Sequence, residues 1–143
     1  MSKKWDKRFL DLAEHISGWS KDPSTQVGCV IVNHNKTVIS VGYNGFPRGV
    51  NDQPGRYENR DIKYLMVQHA EANAIASAKE PLDGYTAYVT HHPCSNCTGL
   101  LIQSGITRIV TREPEAEFAK RFQDSFGASK TMCREAGVKI DII

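Results

Sequence analysis

Residues 86–111 read TAYVTHHPCSNCTGLLIQSGITRIVT, and this stretch decides the fold. Two runs rich in β-branched residues, 86–90 and 107–111, have the length and composition of buried strands. The segment between them, from about 94 to 103, predicts a helix. A strand, a helix and a second strand in this order predict a right-handed crossover between parallel strands. The stretch therefore indicates an α/β fold.

The same alternation extends along the chain. The first helix is expected to pack on the core through an apolar stripe at steps of four and three residues: Trp5, Phe9, Leu12, Ile16 and Trp19. The remaining predicted elements are a hairpin of residues 27–32 and 37–43, a helix at about 69–79, one long helix at about 115–136 and a last strand at 138–143. Helices between strands predict a sheet covered on both faces, which is a three-layer α/β/α sandwich.

Residues 44–63 interrupt this pattern. Glycine or proline occurs at positions 45, 47, 49, 54 and 55, which is too many breakers for a regular helix or strand. A loop of this length inside a small domain usually has a function, so we expect it to line a site.

Bulk composition limits the possible functions. At 143 residues and 40% hydrophobic, the chain is long enough for one domain with a core, and we expect a single domain spanning residues 1–143. A formal net charge of +2 without a run of like charges argues against nucleic-acid and membrane partners. No apolar stretch suited to a signal peptide follows the basic start, which predicts a cytoplasmic protein.

The motif PCSNC at 93–97 is half of a metal site, and HAE at 69–71 supplies the other half. Proline predicts a helix start, so Cys94 and Cys97 would share one face of a first turn, where the helix N-terminus favours thiolates. His69, Cys94 and Cys97 then offer the three N and S ligands of a catalytic zinc and leave the fourth position open.

Glu71 completes the chemistry. Positions two apart do not share a helix face, so His69 is expected just before the helix and Glu71 in its first turn. From there the carboxylate can carry a proton from an activated water to a ring nitrogen and then to a leaving amine. The order H-x-E and P-C-x-x-C resembles the signature of zinc-dependent nucleobase deaminases, which release ammonia.

A purely structural zinc site is the alternative, and it would need a fourth protein ligand. The candidates are Cys29, Cys133, His91 and His92, and none has the usual ligand spacing to the other three. Cys29 and Cys133 are isolated, so we expect both to be buried as small apolar residues. The two histidines are expected in a pocket wall or at the surface.

Five segments point to a family: SKDPSTQVG at 20–28, GYNGFPRG at 42–49, HAEANAI at 69–75, YVTHHPCSNC at 88–97 and LIQSGI at 101–106. With these segments the chain resembles the deoxycytidylate (dCMP) deaminases of the cytidine deaminase superfamily. The resemblance implies a five-stranded mixed sheet and a hydrolase that converts dCMP to dUMP and ammonia, supplying dUMP for thymidylate synthesis. It also implies a homo-oligomer, commonly a hexamer.

The resemblance further implies roles for single residues. The backbone of Ala70 would meet the pyrimidine carbonyl, and Asn44 would contact the deoxyribose. In the family the GYNG segment is associated with an allosteric site where dCTP activates and dTTP inhibits; here it is Gly42, Tyr43, Asn44 and Gly45. Mg²⁺ would accompany such a nucleoside triphosphate.

A 5′-phosphate needs N–H donors or cations. Ser24 and Thr25, which follow a proline, and nearby Lys21 are the first candidates. Further cations lie at or near the 44–63 segment: Arg48, Arg56, Arg60 and Lys63. The segment also contains acidic residues, so the sequence does not select among these cations.

Two departures from the family pattern lead to predictions. The family places a tyrosine soon after the fourth strand, but residues 111–118 contain none. The pocket beside the pyrimidine C5 would then be lined differently, and we hypothesise that a 5-substituted dCMP is tolerated. The segment between GYNG and HAE lacks the extra cysteines and histidines that bind a second zinc in some viral members, so we expect one zinc per chain.

Two other functions remain open. Another deaminase of the superfamily could act on cytidine, tRNA adenosine or a riboflavin precursor, although the low net charge argues against tRNA. The other is a non-catalytic nucleotide-binding module with a structural zinc. Glu71 separates this module from an enzyme, because a structural site has no use for an unliganded carboxylate beside the metal.

Overall fold

The computed structural model describes residues 3–143, which form helices α1–α7 and strands β1–β5. In chain order these are α1 (Lys3–Ser17), β1 (Gly28–Val32), β2 (Val38–Tyr43), α2 (Pro54–Glu58), α3 (Arg60–Met66), α4 (Ala70–Ser77), β3 (Thr86–Val89), α5 (Ser95–Gln103), β4 (Arg108–Thr111), α6 (Ala116–Arg121), α7 (Gln123–Ala136) and β5 (Lys139–Ile142). The five-stranded sheet has the order β2-β1-β3-β4-β5. Strand β1 is antiparallel to β2 and β3, whereas β3, β4 and β5 are parallel. The predicted mixed sheet is therefore confirmed.

Strand β1 divides the core between the two faces of the sheet. Its five residues are all buried, as the unbroken apolar run predicts. Val30 and Val32 pack in a cluster with residues of α1, while Cys29 and Ile31 pack in a second cluster with residues of α4, α5 and α7. This alternation gives the three predicted layers, with α1 on one face and the other three helices opposite.

Two glycines allow helices to lie directly on strands. A Cβ at Gly28 would overlap the carbonyl oxygen of Ala13 in α1, and a Cβ at Gly42 would overlap that of Ala70 in α4. Only glycine fits such close backbone approaches. Gly42 thereby fixes the start of α4 against the sheet.

A partly buried ionic network ties α1 to the parallel strands. The guanidinium of Arg108 donates to both oxygens of Asp6, at 2.9 and 2.8 Å, and its Nε donates to Asp141 at 2.8 Å. The hydroxyl of Tyr88 also donates to Asp6, at 2.9 Å. Burial alone would raise the pKa of Asp6, but the hydrogen bonds from Arg108 and Tyr88 outweigh it and lower that pKa.

Three expectations are corrected. Residues 44–63 are not all irregular, because α2 and the first part of α3 form within them; Pro54 starts α2 at a position where proline is compatible with a helix. The predicted helix at 115–136 is broken at Phe122, which ends α6 and precedes α7. Trp19 lies beyond α1 and is 53% exposed, so it does not join the core stripe.

Within residues 3–143 there is no helix with the length and apolar character needed to span a membrane.

Candidate metal centre and active site

The candidate metal ligands lie at the starts of two neighbouring helices. His69 is the residue that caps α4, and Cys94 is the residue that caps α5. Cys97 follows in the first turn of α5, and its backbone N–H donates to the Cys94 sulfur at 3.4 Å. Both expectations from the sequence are met: His69 lies just before its helix, and the two sulfurs share one first turn.

The spacing of these ligands suits zinc. The Nδ1 atom of His69 lies 3.2 Å from Cys97 Sγ and 3.6 Å from Cys94 Sγ, and the three candidate ligand atoms all lie within 4.8 Å of one another. Bonds of about 2.0–2.3 Å in a tetrahedron would place such atoms roughly 3.5–3.8 Å apart. Within the part of the chain that the structure describes, no fourth His, Cys, Asp or Glu joins this group. The donor set therefore fits a three-ligand zinc with an open position.

The contacts within this group favour the thiolate form of one of the two cysteines. Contact with Cys97, and a further one with His69, lowers the pKa of the Cys94 thiol to about 4. The same contact, together with burial, raises the pKa of Cys97. Contact with Cys94 raises the pKa of His69. One thiolate is thus available at neutral pH.

Glu71 lies beside this group, in the first turn of α4, and is only 4% exposed. Burial raises the pKa of its carboxyl to about 7. A carboxyl with this pKa can both accept and release a proton near neutral pH. We call His69, Glu71, Cys94 and Cys97 the metal floor.

The metal floor opens into a cavity of about 390 Å³. Of the candidate substrate residues, Asn44, Ser24, Thr25 and Ala70 all line this cavity. His91 and His92 form part of its wall and are not in the ligand group, as expected. Residues from the end of the long segment also reach it, since Arg60 and Lys63 are among its lining residues, as is the adjacent Tyr64.

Asp22 organises one side of the cavity. Its Oδ1 accepts hydrogen bonds from the backbone N–H groups of Ser24 at 2.8 Å and Thr25 at 3.2 Å, and lies 3.3 Å from the ammonium of Lys63. The Asn44 side chain accepts from the Val27 N–H and donates to the Thr25 carbonyl, each at 2.8 Å. Asn44 therefore also shapes the turn that presents Ser24 and Thr25.

Three of the proposed phosphate ligands lie elsewhere. Lys21 is paired with Asp52 at 2.7 Å and lines a separate cavity, so we do not retain it as a phosphate ligand. Arg56 donates to the Asn51 carbonyl, and Arg48 to Ser77. Neither lines the cavity above the metal floor.

Comparison with known proteins adds independent information. The family model described as the cytidine and deoxycytidylate deaminase zinc-binding region matches residues 3–113. The chain belongs to this deaminase family. It is 47% identical over 140 residues to an uncharacterized deaminase of the luxG 3′ region in Aliivibrio fischeri, covering 98% of this chain and 94% of that protein. It is 44% identical over 137 residues to a probable deoxycytidylate deaminase of Caenorhabditis elegans, covering 93% of this chain and 66% of that protein.

A solved structure shows the same fold. It is the dCMP deaminase from the cyanophage S-TIM5 in complex with dCMP and dUMP, with a TM-score of 0.76 over 100% of this chain and 99% of that one. At 24% identity this likeness supports the cytidine deaminase-like fold alone.

The GYNG segment of this family member does not form one surface. Gly42 is packed against α4, and Gly45 pairs with Gln68 through two backbone hydrogen bonds. Asn44 is buried at the cavity, whereas Tyr43 is 40% exposed and packs edge-on against Trp19. Tyr43 is therefore the residue of this segment that is open to a ligand at the outer surface.

One side of the cavity was not predicted from the sequence. It is lined by Phe118 and Arg121 of α6 and by Phe122, which follows that helix; we call these three residues the outer wall. Phe126 of α7 lines it as well and packs against His92 with ring centroids 4.5 Å apart. The sequence carries one signal of this wall, the spacing of four between Phe118, Phe122 and Phe126.

Proposed function

We propose that this chain is a dCMP deaminase, formed by a single domain, that hydrolyses dCMP to dUMP and ammonia. The observation that carries the proposal is the metal floor: a buried carboxyl beside a three-ligand group, at the base of a cavity large enough for a small ligand. The name of the nematode relative, a probable deoxycytidylate deaminase, supports the choice of substrate. The reaction replaces the C4–N bond of cytosine by a C4–O bond.

Each residue of the site would have a defined task. His69, Cys94 and Cys97 would hold one zinc ion, which when bound supplies Lewis-acid activation of water. Glu71 would accept a proton from the attacking water and deliver it to the ring nitrogen and then to the departing amine. Ala70 starts α4, so its N–H has no acceptor within the helix and can donate to the pyrimidine carbonyl.

The phosphate and the sugar would lie on the Asp22 side of the cavity. Ser24 and Thr25 line it there, and Asn44, which lines the same cavity, holds their turn in place. Because residues 111–118 contain no tyrosine, we retain the hypothesis that a substituent at C5 of dCMP is accepted. Comparable kcat/KM for dCMP and 5-methyl-dCMP would support it, and no turnover of the latter would refute it.

Regulation and assembly belong to the proposal as well. We propose activation by dCTP and inhibition by dTTP, each with Mg²⁺, at a site that includes Tyr43, in a homohexamer. The exposed Tyr43 ring and the adjoining cavity that Lys21, Asp52 and Tyr57 line support a ligand near this surface.

Ammonia release from zinc-loaded protein tests the proposal, with chromatography to identify the product. We expect turnover of dCMP, loss of turnover in Glu71→Gln, and normal turnover in Glu135→Gln, a control on the exposed end of α7. Metal analysis should find one zinc per chain in both variants. Absence of dUMP with every zinc-loaded preparation would refute the proposal.

The same assay separates the alternatives. Turnover of cytidine or of a tRNA adenosine, without turnover of dCMP, would keep the deaminase chemistry and reject the substrate. A structural zinc module would show full ligand binding with no turnover, and Glu71→Gln would change nothing.

A further inference from the structure

Two arginines line the cavity without a carboxylate partner. Arg60 begins α3 and Arg121 ends α6, and both belong to the lining of the cavity above the metal floor. None of the ion pairs among residues 3–143 includes either of them. The third cation of the lining, Lys63, is already neutralised by Asp22 at 3.3 Å. The cavity therefore has two cations available to an anionic ligand.

The helix that carries Arg121 is weakly anchored. Helix α6 has six residues and buries none of them, and the chain breaks at Phe122 before α7 begins. The guanidinium of Arg121 lies over the Phe122 ring, 5.1 Å from its centroid. Phe118 on the same helix contacts both the Phe122 ring and His91. A ligand that fixes the position of Arg121 would therefore also restrict the positions of the Phe118 and Phe122 rings.

Helix α6 lies outside residues 3–113, which the family model of the zinc-binding region matches.

We propose that Arg121 and Arg60 join Ser24 and Thr25 in binding the phosphate of a nucleoside monophosphate, and that Arg121 thereby holds Phe118 and Phe122 against the substrate. This inference rests on the proposed function. The planar guanidinium matches phosphate geometry with two parallel hydrogen bonds, which an ammonium does not provide. Arg121 is then a specificity-determining residue, and the phosphate contact orders the wall as well as adding affinity.

This arrangement makes a kinetic prediction about the phosphate. Binding energy from a part of the substrate that does not react can be used to orient the reacting part, so a substrate without that part loses kcat as well as affinity. Deoxycytidine, which has the same base and sugar as dCMP, should therefore turn over with a lower kcat. Added phosphite dianion should restore part of that kcat in the wild type.

The decisive comparison uses two neighbouring cations of α6. Arg121→Ala should lower kcat/KM for dCMP by about tenfold or more, because a hydrogen bond to a charged group is lost. Part of this loss should appear in kcat, and the response of deoxycytidine to phosphite should disappear. Lys120→Ala, an exposed residue that does not line the cavity, should match the wild type. Arg121→Lys should have a kcat/KM for dCMP between those of the wild type and Arg121→Ala. For deoxycytidine without phosphite, kcat/KM should stay within about twofold of the wild-type value in all three variants.

Arg60 has its own matched control. Arg60→Ala should reduce kcat/KM for dCMP in the same selective way. Arg56→Ala should have no such effect, because the Arg56 guanidinium donates to the Asn51 carbonyl and does not line the cavity.

Calorimetric binding of dUMP and deoxyuridine separates this inference from the proposed function. Wild-type protein should bind dUMP at least tenfold more tightly than deoxyuridine, and Arg121→Ala should remove most of that difference.

Equal affinity for the two ligands, or an Arg121→Ala variant that binds dUMP normally, would overturn the inference even if dCMP is deaminated. Selective dUMP binding through Arg121, without turnover of any cytosine nucleotide, would instead keep the inference and reject the proposed function. An equal loss for dCMP and deoxycytidine in Arg121→Ala would assign the arginine a purely structural role and also overturn it.

Discussion

The metal floor and the outer wall are built in opposite ways. The floor lies at the starts of α4 and α5, and α4 is pressed onto β2 at Gly42, so that Cys97 and Glu71 are almost completely buried. The outer wall lies on and beside α6, which buries no residue of its own. Fixed geometry suits the residues that perform chemistry, whereas a weakly anchored wall can respond to the ligand. The difference suggests that reaction and selectivity can be changed independently.

Glu71→Gln should have the largest effect, and it should act on the floor alone. Replacing the carboxyl by an amide keeps the shape but removes the group that moves the proton, so we expect kcat to fall by about 10²–10⁴-fold. Zinc content and affinity for dUMP should be unchanged. A variant with normal kcat would show that the proton moves by another route, and loss of zinc would show that Glu71 has a structural role.

Lys63→Met should have the next largest effect, and it tests the side of the cavity between floor and wall. The Lys63–Asp22 pair is nearly inaccessible, with side chains 6% and 5% exposed. Removing one partner leaves a buried charge, which typically costs about 3–5 kcal/mol in the free energy of unfolding. Chemical denaturation should show this loss, and Asp22→Asn added to Lys63→Met should restore part of it.

The exposed pair of Lys21 with Asp52 is the matched control. It is shorter, at 2.7 Å, but its side chains are 66% and 47% exposed. Lys21→Met should leave the denaturation midpoint nearly unchanged, because solvent screens such a pair. Equal losses in the two variants would mean that distance and not burial sets the strength of these pairs.

The floor could be predicted from the sequence because its geometry is local. HAE and PCSNC each place their ligands at one helix start, and the resemblance of this order to the deaminase signature indicated that the two starts share a metal. The parallel direction of the later strands could be predicted for a similar reason, because each is joined to the next by a helix.

The outer wall could not be predicted, because it depends on tertiary position. Phe118, Phe122 and Phe126 keep a spacing of four across the break between α6 and α7, so their periodicity suggests one continuous helix. The prediction that Trp19 belongs to the core stripe was wrong for the same reason, since Trp19 continues the apolar spacing of α1 but lies past the end of that helix. Which arginine of many lines a cavity is likewise decided by packing, as the contrast of Arg60 with Arg48 and Arg56 illustrates.

Phe118→Ala tests whether the outer wall is as weakly anchored as its comparison with the metal floor implies. Phe118 is partly exposed and contacts His91 and Phe122, so its loss should loosen the wall without unfolding the protein. We expect kcat/KM for dCMP to fall by about tenfold or less, with zinc content unchanged. Phe126→Ala, which removes a ring that is only 7% exposed, should instead destabilise the fold by about 3–5 kcal/mol. If Phe118→Ala loses as much stability as Phe126→Ala, the wall is part of the core and the contrast with the floor fails.

The smallest expected effect concerns acid, and it lies on the α1 side of the sheet, away from both floor and wall. Hydrogen bonds from Arg108 and Tyr88 keep the pKa of Asp6 below its ordinary value of 3.8 despite burial. Because the folded-state pKa is the lower one, Asp6 contributes stability above the unfolded pKa, and this contribution is lost as the pH falls from about 4 through the folded pKa. Each unit of lowering corresponds to about 1.4 kcal/mol. Thermal unfolding of the wild type between pH 6 and pH 2.5 should therefore show a steeper acid loss than Asp6→Asn, which has no carboxyl to protonate. Parallel curves for the two proteins would assign the acid sensitivity to other carboxylates. The Asp6 network would then connect α1 to the parallel strands without contributing to the pH dependence of stability.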